Sequence, residues 1–136
     1  MIQTSFSKNW NGKLLMPYFG TIRLYNAKKY YLGAEHEIVL NDTFLGVATI
    51  AAMRELEFQN IMNSMTFLDS VMPADKFKGM LYNMYKNKAV GGVHAKTLFM
   101  HVIFHWEKRE MKAQEHLIKI FWDKLCEDQA DLFLGR

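Results

Sequence analysis

The chain holds one cysteine and two prolines in 136 residues. A lone thiol, Cys126, can form neither an internal disulfide nor a cysteine-based zinc site, and a reducing compartment suits it. It reads as a small apolar helix residue rather than a nucleophile. No apolar run approaches the roughly 20 residues that span a bilayer, so no membrane segment is expected. The opening Met1 to Ser5 lacks a basic stretch followed by an apolar core, so the expected location is cytoplasmic. There is no G-x-G-x-x-G, no glycine-rich phosphate loop ending in Lys-Ser/Thr and no G-x-S-x-G elbow. Common nucleotide hydrolysis and serine esterase chemistry therefore have no support. One more absence is local: residues 1–34 contain no Asp or Glu.

That acid-free stretch carries Lys8, Lys13, Arg23, Lys28 and Lys29. The other 102 residues hold 12 basic and 14 acidic side chains, so the net charge of +3 arises in the first quarter. Phe6, Trp10, Tyr18, Phe19, Tyr25, Tyr30 and Tyr31 lie among those cations. Cations neutralise phosphates and aromatic faces stack on exposed bases, so the mixture suits RNA or single-stranded nucleic acid. Lys13, Tyr18, Thr21, Arg23, Tyr25, Lys28 and Lys29 are the candidate contacts. The competing account is a strand-rich region with aromatic residues in its core and solvated lysines.

Half of the residues are apolar and the length fits one domain, residues 1–136. Ile2 to Phe6 is an expected strand, and Ser7 to Pro17 a loop or short helical connection. Gly20 to Tyr25 alternates, with Ile22 and Leu24 opposite Thr21, Arg23 and Tyr25, and Lys28 to Leu32 extends it after a turn. Glu35 to Leu40 and Thr43 to Met53 form a hairpin about Asn41-Asp42. Gly33 and Gly46 offer freedom where a small barrel must bend. Phe58, Ile61, Met62, Met65 and Leu68 keep helical spacing, as do Phe77, Met80, Leu81 and Met84 after Pro73, a good first helical residue. Lys86 to Lys96 is a loop and Leu98 to Trp106 a strand. Glu107 to Glu127 is an expected helix, with Met111, Ile118, Phe121 and Leu125 on one face and Lys108, Arg109 and Glu110 solvated. The class is α+β.

His101 and His105 share a strand face, but no Glu follows His101 as in H-E-x-x-H, so no metal is assigned. Glu55 and Glu57 mark the exposed end of a strand rather than an acid–base pair. Of the ten methionines, Met62, Met65, Met80, Met84 and Met111 fall on helical stripes, where they serve as flexible core filler, with a Met-rich partner groove as the alternative. No cofactor is implied.

Gly12-Lys13, Gly20-Thr21-Ile22-Arg23, Tyr31-Leu32-Gly33-Ala34-Glu35-His36-Glu37-Ile38 and Phe44-Leu45-Gly46-Val47-Ala48-Thr49-Ile50 follow one another in order. Over residues 1–106 this resembles the ASCH domain of the PUA-like superfamily. The resemblance implies a small, partly open PUA-like β-barrel decorated by helices, here with an added C-terminal helix, residues 107–136. It also implies a cleft beside the Thr-Ile-Arg strand that binds RNA or modified nucleobases. Some small ASCH proteins are amidohydrolases that deacetylate acetylated cytidine with a lysine, a threonine and a glutamate. Thr21 matches that threonine and Arg23 the family arginine. Tyr18 stands at the lysine position, with Lys13 the nearest lysine upstream. Ala34 replaces the family aspartate, and the glutamate would fall near Asp69-Ser70, with no Glu between Phe58 and Trp106. A hydrolase needs a nucleophile within reach of a base, so the enzyme activity is not expected to carry over. Leu132, Phe133 and Leu134 in the tail need cover, which gives a second reading: a small interaction or inhibitor protein binding a protein partner through the C-terminal helix.

Overall fold

Alternating side chains form five strands among the described residues of the computed structural model. They are β1 (Ile2–Phe6), β2 (Tyr18–Leu24), β3 (Glu35–Leu40), β4 (Thr43–Glu57) and β5 (Leu98–Arg109). One helix, α1 (Ala74–Tyr85), and a 3-10 turn at Trp10–Leu15 complete the regular elements that bear on the site. The structure describes residues 2–7, 10–63, 65, 66 and 72–110, together with 115, 118, 119, 122, 123, 126 and 127.

The strands make one mixed sheet in the order β1-β3-β4-β5-β2. Only the β1–β3 pair is parallel. Asn41 and Asp42 both adopt positive φ, 47° and 67°, the conformation a tight two-residue hairpin turn demands. β4 is long enough to pair with β3 near its start and with β5 along most of its length. Register shifts at Val47/Ala48 and Ile50/Ala52 bend it, and the sheet curls into a half-barrel. Gly46 permits this. Its φ is 146°, and a Cβ there would collide with the Lys108 carbonyl oxygen of β5.

Two apolar clusters follow from the alternation. Phe19, Ile38, Leu45, Met100, Val102 and Phe104 fill the half-barrel. Ile22, Leu56, Ile61 and Phe99 pack with Phe77 and Leu81 of α1 on the other face. β2 and β5 serve both clusters because successive side chains point to opposite faces. α1 starts with Pro73 one residue before its first turn, where the Pro73 carbonyl accepts from Phe77 N–H. Asn63 Oδ1 accepts from Ala74 N–H at 2.7 Å, so the cap comes from a distant side chain.

Four sequence expectations need correction. Lys28 to Leu32 does not continue the strand; the Asn26 carbonyl accepts from both Lys29 and Tyr30 N–H and winds the segment into turns. The Asn26 side chain adds an Asx turn by accepting from Lys28 N–H. β4 runs four residues past Met53, to Glu57. Phe58–Asn60 is a 3-10 turn, and Asn63, Met65 and Thr66 are helical, with Leu68 outside the described residues. Glu107, Lys108 and Arg109 belong to β5, not to a helix, because they still pair with β4. Among residues 111–127 the described positions have helical backbone, and Ile118 is exposed there. Met111, Phe121, Leu125 and Leu132 to Leu134 lie outside the described residues.

Candidate functional site

A curled sheet with two unlike edges leaves a seam between β1 and β2. Three side chains from the acid-free N-terminal stretch converge there. Lys13 arrives from the 3-10 turn, which is anchored by Leu14, 1% exposed in the barrel core. The end of that turn is held by Arg109, which donates to the Leu15 and Met16 carbonyls at 3.1 and 2.8 Å. Lys13 itself is 6% exposed and donates to the Gly20 carbonyl at 2.9 Å, on the peptide that joins Gly20 to Thr21. A buried amino group needs an acceptor for its N–H groups, and this contact fixes the head group.

Arg23 bridges the seam. Its Nε donates to Thr21 Oγ1 at 3.0 Å, and Nη2 donates to the Ser5 carbonyl of β1 at 2.9 Å. The Phe6 ring lies against both cations, with Lys13 Nζ 5.0 Å and the Arg23 guanidinium carbon 4.7 Å from its centroid. Phe6 packs edge-on against Phe19 of β2, so the ring also joins the two strands.

These residues border a cavity of about 210 Å³. Ser5, Ser7, Lys13, Thr21 and Arg23 make a polar wall with Phe6 behind it. Phe77, Met80, Leu81 and Met84 of α1 make an apolar wall. The described lining contains no carboxylate, and Asp69 lies outside the described residues.

The seven candidate contacts divide. Lys13, Thr21 and Arg23 meet in the cavity. Lys29 is near enough for the Arg23 charge to act on it. Burial first, and then Arg23, pull its ammonium below the ordinary value of 10.5. Its Nζ sits 5.4 Å from the centre of the Tyr30 ring. Lys28 and Tyr25 are exposed on the same turn-rich segment. Tyr18 falls elsewhere: it leaves β2 on the opposite face from Thr21 and Arg23 and leans on His105 at 4.6 Å between ring centres. His105 is paired at 3.5 Å with Glu107, which also accepts from the Thr49 hydroxyl at 2.7 Å. The Thr49 and His105 contacts hold the Glu107 carboxyl below its ordinary range. His101 and His105 share the outer face as their spacing implies, and no metal-holding group of three occurs among the described residues.

Several participants were not singled out in the sequence. Ser5 looked like part of a strand and Ser7 like the start of a loop, and α1's apolar stripe looked like core. His36 is fully buried, accepts from the Thr4 hydroxyl at Nδ1 (2.7 Å) and donates from Nε2 to the Lys29 carbonyl (2.8 Å). It thereby ties the basic segment to β1 and β3. The only sequence signal was a polar residue at an inward position of a strand.

The fold and site thus define a half-barrel protein with a cationic, one-sidedly apolar cavity at its open seam. The chain is similar in structure to protein EF3133 of Enterococcus faecalis V583, a crystal structure assigned to the DUF984 family model. The two share 10% identity at a TM-score of 0.57 over 71% of this chain. The match spans 65% of the length of that protein, and at this identity the likeness concerns the fold alone. No protein-family model matches the chain, and no curated protein sequence does. Among the described residues no helix is long and apolar enough to cross a membrane.

Proposed function

We propose that the chain is a PUA-like, ASCH-type module that binds a nucleobase in the β1–β2 cavity, either free or presented by RNA or single-stranded nucleic acid. The observation that carries this reading is the cavity's two-sided wall. Lys13, Thr21 and Arg23 offer donors and a hydroxyl along one side, and Phe77, Met80, Leu81 and Met84 offer an apolar face to a flat ring. A volume near 210 Å³ is below the roughly 300–1,000 Å³ of drug-sized pockets, which suits one base rather than a strand. Lys28, Lys29 and Tyr25 border the seam segment and supply phosphate contacts and stacking to the rest of a strand. Titration of a labelled oligouridylate at low salt tests this: binding that weakens steeply with salt supports it, and no binding to any single-stranded oligonucleotide removes it.

A specific observation favours each of two other readings. Lys13 lines the same cavity as Thr21, although the register of the motif puts Tyr18 at the lysine position. A lysine delivered from the turn would serve an amidohydrolase as base toward the Thr21 hydroxyl. Turnover of acetylated cytidine that Thr21→Ala abolishes would establish that chemistry. Ile118 and Trp122, four residues apart, are 40% and 57% exposed, which suits a protein partner on the C-terminal segment. A pull-down that retains one defined protein after nuclease treatment would support that role.

A further inference from the structure

We infer that this cavity selects a ligand bearing an anionic group, of the phosphate class, seated on the outward edge of Arg23. The inference rests on the nucleobase reading and adds the charge of its ligand.

Arg23 is built as a fork with donors to spare. A guanidinium has five N–H groups in one plane. Two are taken, by Thr21 Oγ1 and by the Ser5 carbonyl, and no further partner occurs among the described residues. Those two bonds and the Phe6 ring beneath fix the plane, so the remaining donors are held in place at the cavity. Neither fixed partner carries a charge. The guanidinium is therefore oriented but not neutralised by them.

The surroundings show the same excess. Burial is the main cause that lowers the Lys29 ammonium and the His36 ring from their ordinary values, and the charge of Arg23 adds to both, with that of Lys29 adding at His36. The Lys29 ammonium has a ring contact with Tyr30 but no hydrogen-bond partner among the described residues. The cavity's described lining contains no carboxylate. A positive site in a poorly solvated seam attracts an anion more strongly than the same charges in open water. Planar forks match phosphate oxygens in paired hydrogen bonds, which an uncharged base cannot supply in equal strength. The apolar wall of α1 then faces the ring that the anion carries with it.

The test compares cytidine 5′-monophosphate, cytidine and inorganic phosphate by isothermal titration and amide chemical-shift mapping on the full chain. The monophosphate should bind at least tenfold more tightly than cytidine, with shifts centred on Ser5, Thr21 and Arg23. Arg23→Gln should erase that preference, and Lys29→Gln, on a turn outside the sheet, should reduce it severalfold with the fold retained. Binding of phosphate and monophosphate without any gain from the base would keep the anion site and remove the nucleobase reading. Equal binding of cytidine and its monophosphate would keep that reading and overturn this one. If none of the three binds, both fall.

Discussion

The two flanks of the sheet are built by different means. On the β4–β5 flank the barrel interior is dry, with Leu45, Ile50, Met100, Val102 and Phe104 all buried. On the β1–β2 flank the chain buries polar groups as well: Thr4, Lys13, Thr21 and His36 are each under 9% exposed. Every one of those four comes from the first 36 residues. Apolar burial is favourable wherever it occurs, but a buried polar group requires a placed partner. The dry flank therefore holds the sheet together, and the wet flank needs the sheet already formed before its partners meet.

The largest effect should come from the dry flank. Phe104 is fully buried between Phe19 and His36, so Phe104→Ala should cost about 3–5 kcal/mol in urea unfolding. A loss below about 1 kcal/mol would mean that this flank does not hold the sheet together.

On the wet flank, Thr4→Val removes the hydroxyl that donates to His36 Nδ1 and leaves a buried acceptor unmet. The expected cost is about 1–3 kcal/mol, measured the same way. The same ring brings a pH dependence. Burial, foremost, and the charges of Lys29 and Arg23 lower the His36 pKa from 6.5, although its hydrogen bond to the Lys29 carbonyl opposes them. Between 6.5 and the lower folded value the unfolded chain binds more protons than the native one. Stability from this group is thus complete above 6.5 and declines as pH falls through that window. Comparing urea midpoints at pH 7 and pH 5 should show this decline in the parent chain and a shallower one in His36→Gln. Equal pH slopes in the two proteins would sever the ring from the effect.

A smaller effect belongs to the exposed basic segment. Replacing Lys28 and Lys29 together by Gln should weaken oligouridylate binding roughly tenfold at low salt and shrink the salt slope by roughly one unit or more. Stability should barely change. The least effect is expected at Tyr18, which stands on the outer face beside His105. Tyr18→Ala should alter stability by about 0.5 kcal/mol or less and leave cytidine monophosphate binding unaltered. Weakened monophosphate binding in that variant would show that the site extends around the β2 edge.

Local patterns made much of the sheet legible. The turn at Asn41-Asp42, the alternation through Phe104 and the need for Gly46 all depend on neighbours within a few residues or on one buried face. Boundaries were less legible. Lys108 and Arg109 look like solvated helix residues because their charge says nothing of the β4 partner that keeps them extended. Lys28 to Leu32 looks like strand because the Asn26 carbonyl, which accepts two N–H groups at once, leaves no periodic trace.

By itself the sequence determined the class of fold and the place of the positive charge, because side-chain period and the absence of acids are properties of the chain alone. It also placed Thr21 and Arg23 on one side of a strand. The tertiary structure decided which of the cations act together. Lys13 reaches the Gly20 carbonyl beside Thr21 because a 3-10 turn anchored by Leu14 and Arg109 carries it to the seam. Tyr18 is removed from them by the strict alternation of the same strand. Arg23 meets Ser5 because a curled sheet brings its two edge strands together, and curvature comes from bulges and a glycine far from either residue. Distances across the seam between the two edge strands are sums over the whole sheet, which no local pattern contains.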